Sequence, residues 1–126
     1  MTATNGGGNS AGFERLLREI HDAGQAWIDA QLIARQLEED QRSFLASLMN
    51  EMEKHFDGKV SETKLDRLAR GAQPYRDYVM RQCTAWAEAQ RLRVRYENLQ
   101  MLLEARRSEL AMERAKVEKG IFAEGK

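Results

Sequence analysis

Cysteine and proline each occur once in this 126-residue chain. A single thiol cannot close an intrachain disulfide, which excludes a disulfide-stapled scaffold and suits a reducing compartment. With Pro74 alone, long stretches carry nothing that interrupts a helix. The two histidines, His21 and His55, do not follow a glutamate at the Glu-x-x-His spacing of a di-iron bundle. Gly6-Gly7-Gly8 precedes no strand and so makes no phosphate loop. No run approaches the ~20 apolar residues that cross a bilayer, and the start lacks the basic and apolar regions of a signal peptide. An excess of one charge is missing as well: 20 basic side chains meet 20 acidic ones. That balance removes bulk attraction to nucleic acid or anionic membranes. The expectation is a cytoplasmic, non-membrane protein that is no enzyme and needs no cofactor.

What the chain does have is helical periodicity. Residues 1–12, rich in glycine and asparagine, offer little to bury and read as a flexible tail. From 13 to 56, Leu37, Phe44 and Leu48 share an arc of about 80° with Leu16, Ala23, Ala30, Ala34 and Met52, which predicts a helix with Gly24 as a candidate hinge. Residues 57–73 break the pattern: Gly58 fits a left-handed cap, Ser61 an N-cap, and Leu65 with Leu68 a short helix closed at Gly71. From 74 to 119 the period returns, with Leu92, Tyr96, Leu99, Leu103 and Leu110 on one side, and 120–126 are expected to fray. Two long helices of similar length, joined by a short one, predict an all-α antiparallel hairpin, coiled-coil-like, forming one domain over 13–119. Charge supports the pairing. Residues 1–60 carry six basic and ten acidic side chains, and 61–126 carry fourteen and ten.

The second long helix has another apolar stripe. Met80, Ala87, Val94, Met101, Ala105 and Met112 fall opposite the Leu/Tyr seam, between arcs of charged residues. One partner helix covers one seam, so the stripe needs a second cover. Met80, Val94, Met101 and Met112 are therefore the candidate oligomer or partner face, and a homo-oligomer is expected. Ile28, Leu32 and Ala46 also lie away from the main seam of the first helix.

Candidate chemistry is sparse. Glu51 and His55 are four apart, an ordinary helix-face pair before they are metal ligands. Cys83, between Val79 and Trp86, reads as a small buried thiol. Residues 64–107 hold ten basic side chains against five acidic, interleaved with Tyr75, Tyr78, Trp86 and Tyr96. Basic grooves with aromatic platforms hold single strands, which makes Arg81, Arg91 and Arg95 candidate nucleic-acid contacts. A solvated charged face is the plainer reading, since Arg91, Arg93 and Arg95 alternate sides of a helix.

The sequence also carries Leu68-Ala69-Arg70-Gly71, then Tyr75-Arg76, an Ala/Glu/Arg-rich stretch, and Arg93-Val94-Arg95-Tyr96-Glu97. Over about residues 65–117 this resembles small helical proteins of tailed bacteriophages and prophages. The resemblance implies phage DNA metabolism or host interaction, and it brings no catalytic residues. Together these features predict a non-enzymatic protein acting by macromolecular binding: a self-associating adaptor or recombination accessory, alternatively an inhibitor of a host defence complex or a single-strand-binding accessory.

Overall fold

A computed structural model describes the backbone of residues 5–124 and the side chains of residues 11–120. Three helices make up the described chain: α1 over Asn5–Glu53, α2 over Glu62–Gly71 and α3 over Gln73–Glu124. No strand occurs among the described residues. The helices of 49 and 52 residues bury apolar side chains between Leu16 and Leu103, which supports them there, because propensity alone is marginal in water.

Several boundaries differ from the sequence expectation. α1 begins at Asn5, so residues 5–12, expected as a flexible tail, are helical; residues 1–4 lie outside those described. Glycine disfavours helix by about 1 kcal/mol relative to alanine, so the backbone is helical here against its local propensity. At Gly24 α1 is unbroken, so the candidate hinge is absent. The helix stops at Glu53, short of Phe56. Bonds from His55 N–H to the Met52 carbonyl and from Phe56 N–H to the Glu53 carbonyl, both 3.1 Å, tighten its exit. Gly58 is not left-handed, as no described glycine has a positive φ. α3 continues to Glu124, beyond the expected end at Lys119.

Other signals act where they were placed. The Ser61 hydroxyl accepts a hydrogen bond from Lys64 N–H at 3.2 Å and caps α2. Pro74 occupies the first turn of α3, where its missing N–H leaves no bond unmade.

The chain divides into two compact units. The first, residues 27–91, contains the later part of α1, all of α2 and the start of α3. Leu45, Ala69 and Tyr75 form its core cluster, with Phe44, Leu48, Met49, Met52 and Val79 packed against it. The Tyr75 hydroxyl accepts hydrogen bonds from Gln41 Nε2 at 2.8 Å and from Arg70 Nη1 at 3.4 Å, so one phenol joins all three helices. Tyr78 stacks on Phe44 with ring centroids 4.5 Å apart, and its hydroxyl donates to the Leu37 carbonyl. Ala34 and Ala89 are also buried here.

The second unit comprises residues 1–26 and 92–126. Leu16, Ala23 and Leu103 are its buried side chains, and Leu92, Tyr96 and Leu99 are half-buried. Gly24 sits against the Tyr96 ring: a Cβ there would lie 3.1 Å from Cε1 and 3.4 Å from Cδ1. Gly24 is therefore a point of close approach. Gly12 similarly lies near Arg106.

Alanine recurs among the most buried side chains of this protein, with Ala34 and Ala69 fully enclosed. Small side chains let helix backbones come close, and they also bury little apolar area per residue.

Candidate functional site

Six of the eight residues expected in the seam are half-buried: Leu37, Phe44, Leu48, Leu92, Tyr96 and Leu99. Leu103 is buried. Leu110 is not part of any core and stands 42% exposed. Sequence reasoning overlooked Tyr75, Ala69 and Ala89 as core members. Their small size or mixed polarity ranks them below leucine in any hydropathy pattern, whereas close helix spacing selects them.

The four residues assigned to a partner face are all exposed: Met80 at 65%, Val94 at 50%, Met101 at 67% and Met112 at 62%. The last three belong to the part of α3 in the second unit, and Leu102 beside them is 44% exposed. Helix geometry sets them opposite Leu99 and Leu103, which face inward. Charged residues line both edges. On one, Arg93 pairs with Glu97 at 3.6 Å and Arg107 with Glu104 at 3.1 Å; the other carries Arg95 and Glu109. Such exposed pairs contribute under ~1 kcal/mol each, so they keep the rim soluble without rigidly holding it. A shallow groove lined by Glu97, Asn98, Met101, Leu103, Glu104 and Arg107 runs along this surface.

The three candidate nucleic-acid contacts are dispersed in their bonding. Arg81 lies over the Tyr78 ring at 5.4 Å, and Arg91 pairs with Glu88 at 3.0 Å. Arg95 makes no hydrogen bond or ion pair among the described residues. Tyr75 and Tyr78 are buried and bonded within the chain, so neither presents a face on which a base can stack. Burial, with Asp40 adding to it and Arg81 opposing, raises the Tyr78 phenol above its ordinary pKa of 10.0.

Glu51 and His55 do not form the expected pair on one helix face. α1 ends at Glu53, and the Glu51 carboxylate accepts from Lys54 Nζ at 3.3 Å. Among the described residues no group of three or more His, Cys, Asp or Glu side chains is placed to hold a metal ion. Cys83 is exposed, which corrects the reading of a buried thiol. It lies on the α3 side that carries Met80 and Ala87 rather than on the side of Tyr78. No helix among the described residues is long and apolar enough to cross a membrane.

Comparison with protein-family models, with curated proteins and with solved structures found no match.

Proposed function

We propose that this chain is a non-enzymatic adaptor that works by helix-on-helix binding and assembles with copies of itself. In this reading α1 and α3 lie antiparallel as a coiled-coil-like hairpin. The pairing of contacts supports it. In one unit Gln41 meets Tyr75 and Leu37 meets Tyr78, and in the other Gly24 meets Tyr96 and Gly12 meets Arg106. In both, lower numbers on α1 go with higher numbers on α3.

The observation that carries the functional reading is the exposure of Val94, Met101 and Met112 on the helix face turned away from the core. An apolar strip with charged edges has the layout of an interface core with its polar rim. Methionine adds adaptability, since its unbranched thioether fills irregular contacts. The resemblance of residues 65–117 to phage and prophage proteins supports reading such an adaptor as one that acts in the cytoplasm of an infected cell, alongside DNA recombination or a host complex. The dispersed bonding of Arg81 and Arg91 argues against a single-strand groove as its main surface.

Val94→Glu combined with Met101→Glu tests the reading. The wild type is expected to scatter light as an oligomer at micromolar concentration. The double variant should retain its helical circular dichroism while its mass falls to that of the monomer. A monomeric wild type at high micromolar concentration refutes self-association. A strongly salt-dependent shift of single-stranded DNA by the wild type would replace the adaptor reading with nucleic-acid binding.

A further inference from the structure

We infer that the second copy docks antiparallel on α3, about a two-fold axis beside Leu103; this rests on the self-association reading above. The face from Val94 to Met112 runs Val94, Asn98, Met101, Ala105, Ser108, Met112, all exposed. Their spacing of 4, 3, 4, 3, 4 reads the same in either direction. Folding that pattern back on itself about Leu103 matches apolar with apolar and polar with polar. Val94 meets the second copy's Met112, Asn98 meets its Ser108, and Met101 meets its Ala105. Large then opposes small at the centre, polar opposes polar in the intermediate layers, and apolar closes the ends. The overlap is about 27 Å long.

Charge chooses the direction. Arg95 and Glu109 flank the same edge of the face, and neither has a hydrogen bond or ion pair among the described residues. In the antiparallel arrangement Arg95 comes beside the second copy's Glu109, and the symmetry makes this pair twice. Leu102, on the same edge between them, meets its own equivalent and loses its exposure. On the other edge Glu104 meets Glu104, but each already carries Arg107 at 3.1 Å. A parallel, in-register pair instead places Glu104 beside the second copy's Glu109 on both edges, which is repulsive. It also leaves Arg95 without an acidic partner.

The two directions make opposite demands on Met80. It precedes Val94 by two heptads and lies beyond the antiparallel overlap, whereas a parallel pair brings it onto its own equivalent.

Crosslinking separates the alternatives. All variants carry Cys83→Ser, and disulfide formation requires Cα atoms within about 7 Å. Met101→Cys and Ala105→Cys proteins, mixed and oxidised with copper phenanthroline, should form the mixed dimer, and neither should crosslink well alone. Crosslinking of Met101→Cys with itself, and no mixed dimer in the mixture, overturns the antiparallel arrangement. As an independent reading, Arg95→Glu or Glu109→Arg should each weaken assembly roughly tenfold, the scale of two exposed pairs lost. The charge-swapped double variant should recover to within about threefold of wild type, and Met80→Glu should leave assembly unchanged. A double variant weaker than both single ones overturns the proposal. A wild type that remains dimeric while failing these tests leaves self-association standing and removes only the direction. A monomeric wild type removes both.

Discussion

Gly24→Ala isolates the close approach between α1 and Tyr96. In a free helix interior, alanine is favoured over glycine by about 1 kcal/mol. Here the added methyl would sit 3.1 Å from Tyr96 Cε1 and 3.4 Å from Cδ1, inside the ~3.5–4.0 Å of relaxed carbon contact. The ring is half-buried, and its hydroxyl accepts from Gln100 Nε2 at 2.8 Å, which resists a simple retreat. Overpacking of this kind costs ~1–3 kcal/mol. Taking the middle of that range, the substitution should destabilise the protein by about 1 kcal/mol net. In a Tyr96→Ala background the conflict disappears, and the same Gly24→Ala change should stabilise by about 1 kcal/mol. The coupling is then about 2 kcal/mol, well above the scatter expected of independent sites. Urea unfolding followed by circular dichroism, at one fixed protein concentration because assembly contributes to stability, measures all four proteins. Stabilisation by about 1 kcal/mol in both backgrounds would show that the Tyr96 ring does not rest on Gly24.

Tyr78 supplies a pH-dependent prediction. Its folded-state pKa is raised above 10.0, first by burial. The unfolded chain therefore releases this proton before the folded one does. Stability from this group is complete below pH 10 and is lost as pH rises through the folded value. Tyr78→Phe should flatten the alkaline decline in unfolding free energy, at a cost near ~1 kcal/mol at neutral pH for the lost bond to the Leu37 carbonyl. An alkaline limb of unchanged slope in the variant refutes the assignment. In the distal part of α3, Leu103→Ala should cost about 2–3 kcal/mol and Leu110→Ala under ~1 kcal/mol, because Leu103 is 9% exposed and Leu110 is 42% exposed. Equal shifts in thermal midpoint for the two would contradict the burial difference.

The sequence was informative where one physical cue dominated. The absence of proline between Phe13 and Gln73 and between Tyr75 and Lys126, the 3.6-residue period and the capping hydroxyl of Ser61 each point to helix, and the protein is all-helical. Leu103 was legible as buried because it lies on the Leu/Tyr arc of its helix. Glycine was ambiguous in three places. Gly24 left a hinge or a continuous helix open, and it accommodates a ring within an unbroken α1. Gly58 read as a left-handed cap, yet the chain leaves α1 through tightened turns. The Gly-rich stretch read as tail, yet helix runs through it from Asn5. A glycine in sequence says that a side chain is missing and does not say which neighbour needs the space. Alanine has the same ambiguity. Ala69 and Ala89 are core because of what approaches them, which is information held by the partner helix. The exposure of Met101 and Val94 followed from periodicity alone, since a helix has an opposite side whatever covers the first.

The order of contacts along the chain has a kinetic consequence. Gln41 and Tyr75 are separated by 34 residues and Leu37 and Tyr78 by 41, with α2 between them. Gly24 with Tyr96, and Gly12 with Arg106, close far longer segments. Closing the chain directly at Gly12 and Arg106 costs about 0.9 kcal/mol more in loop entropy than closing it at Gln41 and Tyr75. The shorter closure is also rewarded at once, by the Tyr75 hydroxyl bonds and the ring stack on Phe44. Folding is therefore expected to start beside α2, where the closure is shortest. Amide protons near Leu37 and Tyr78 are the last to exchange, and those beyond Leu110 are the first.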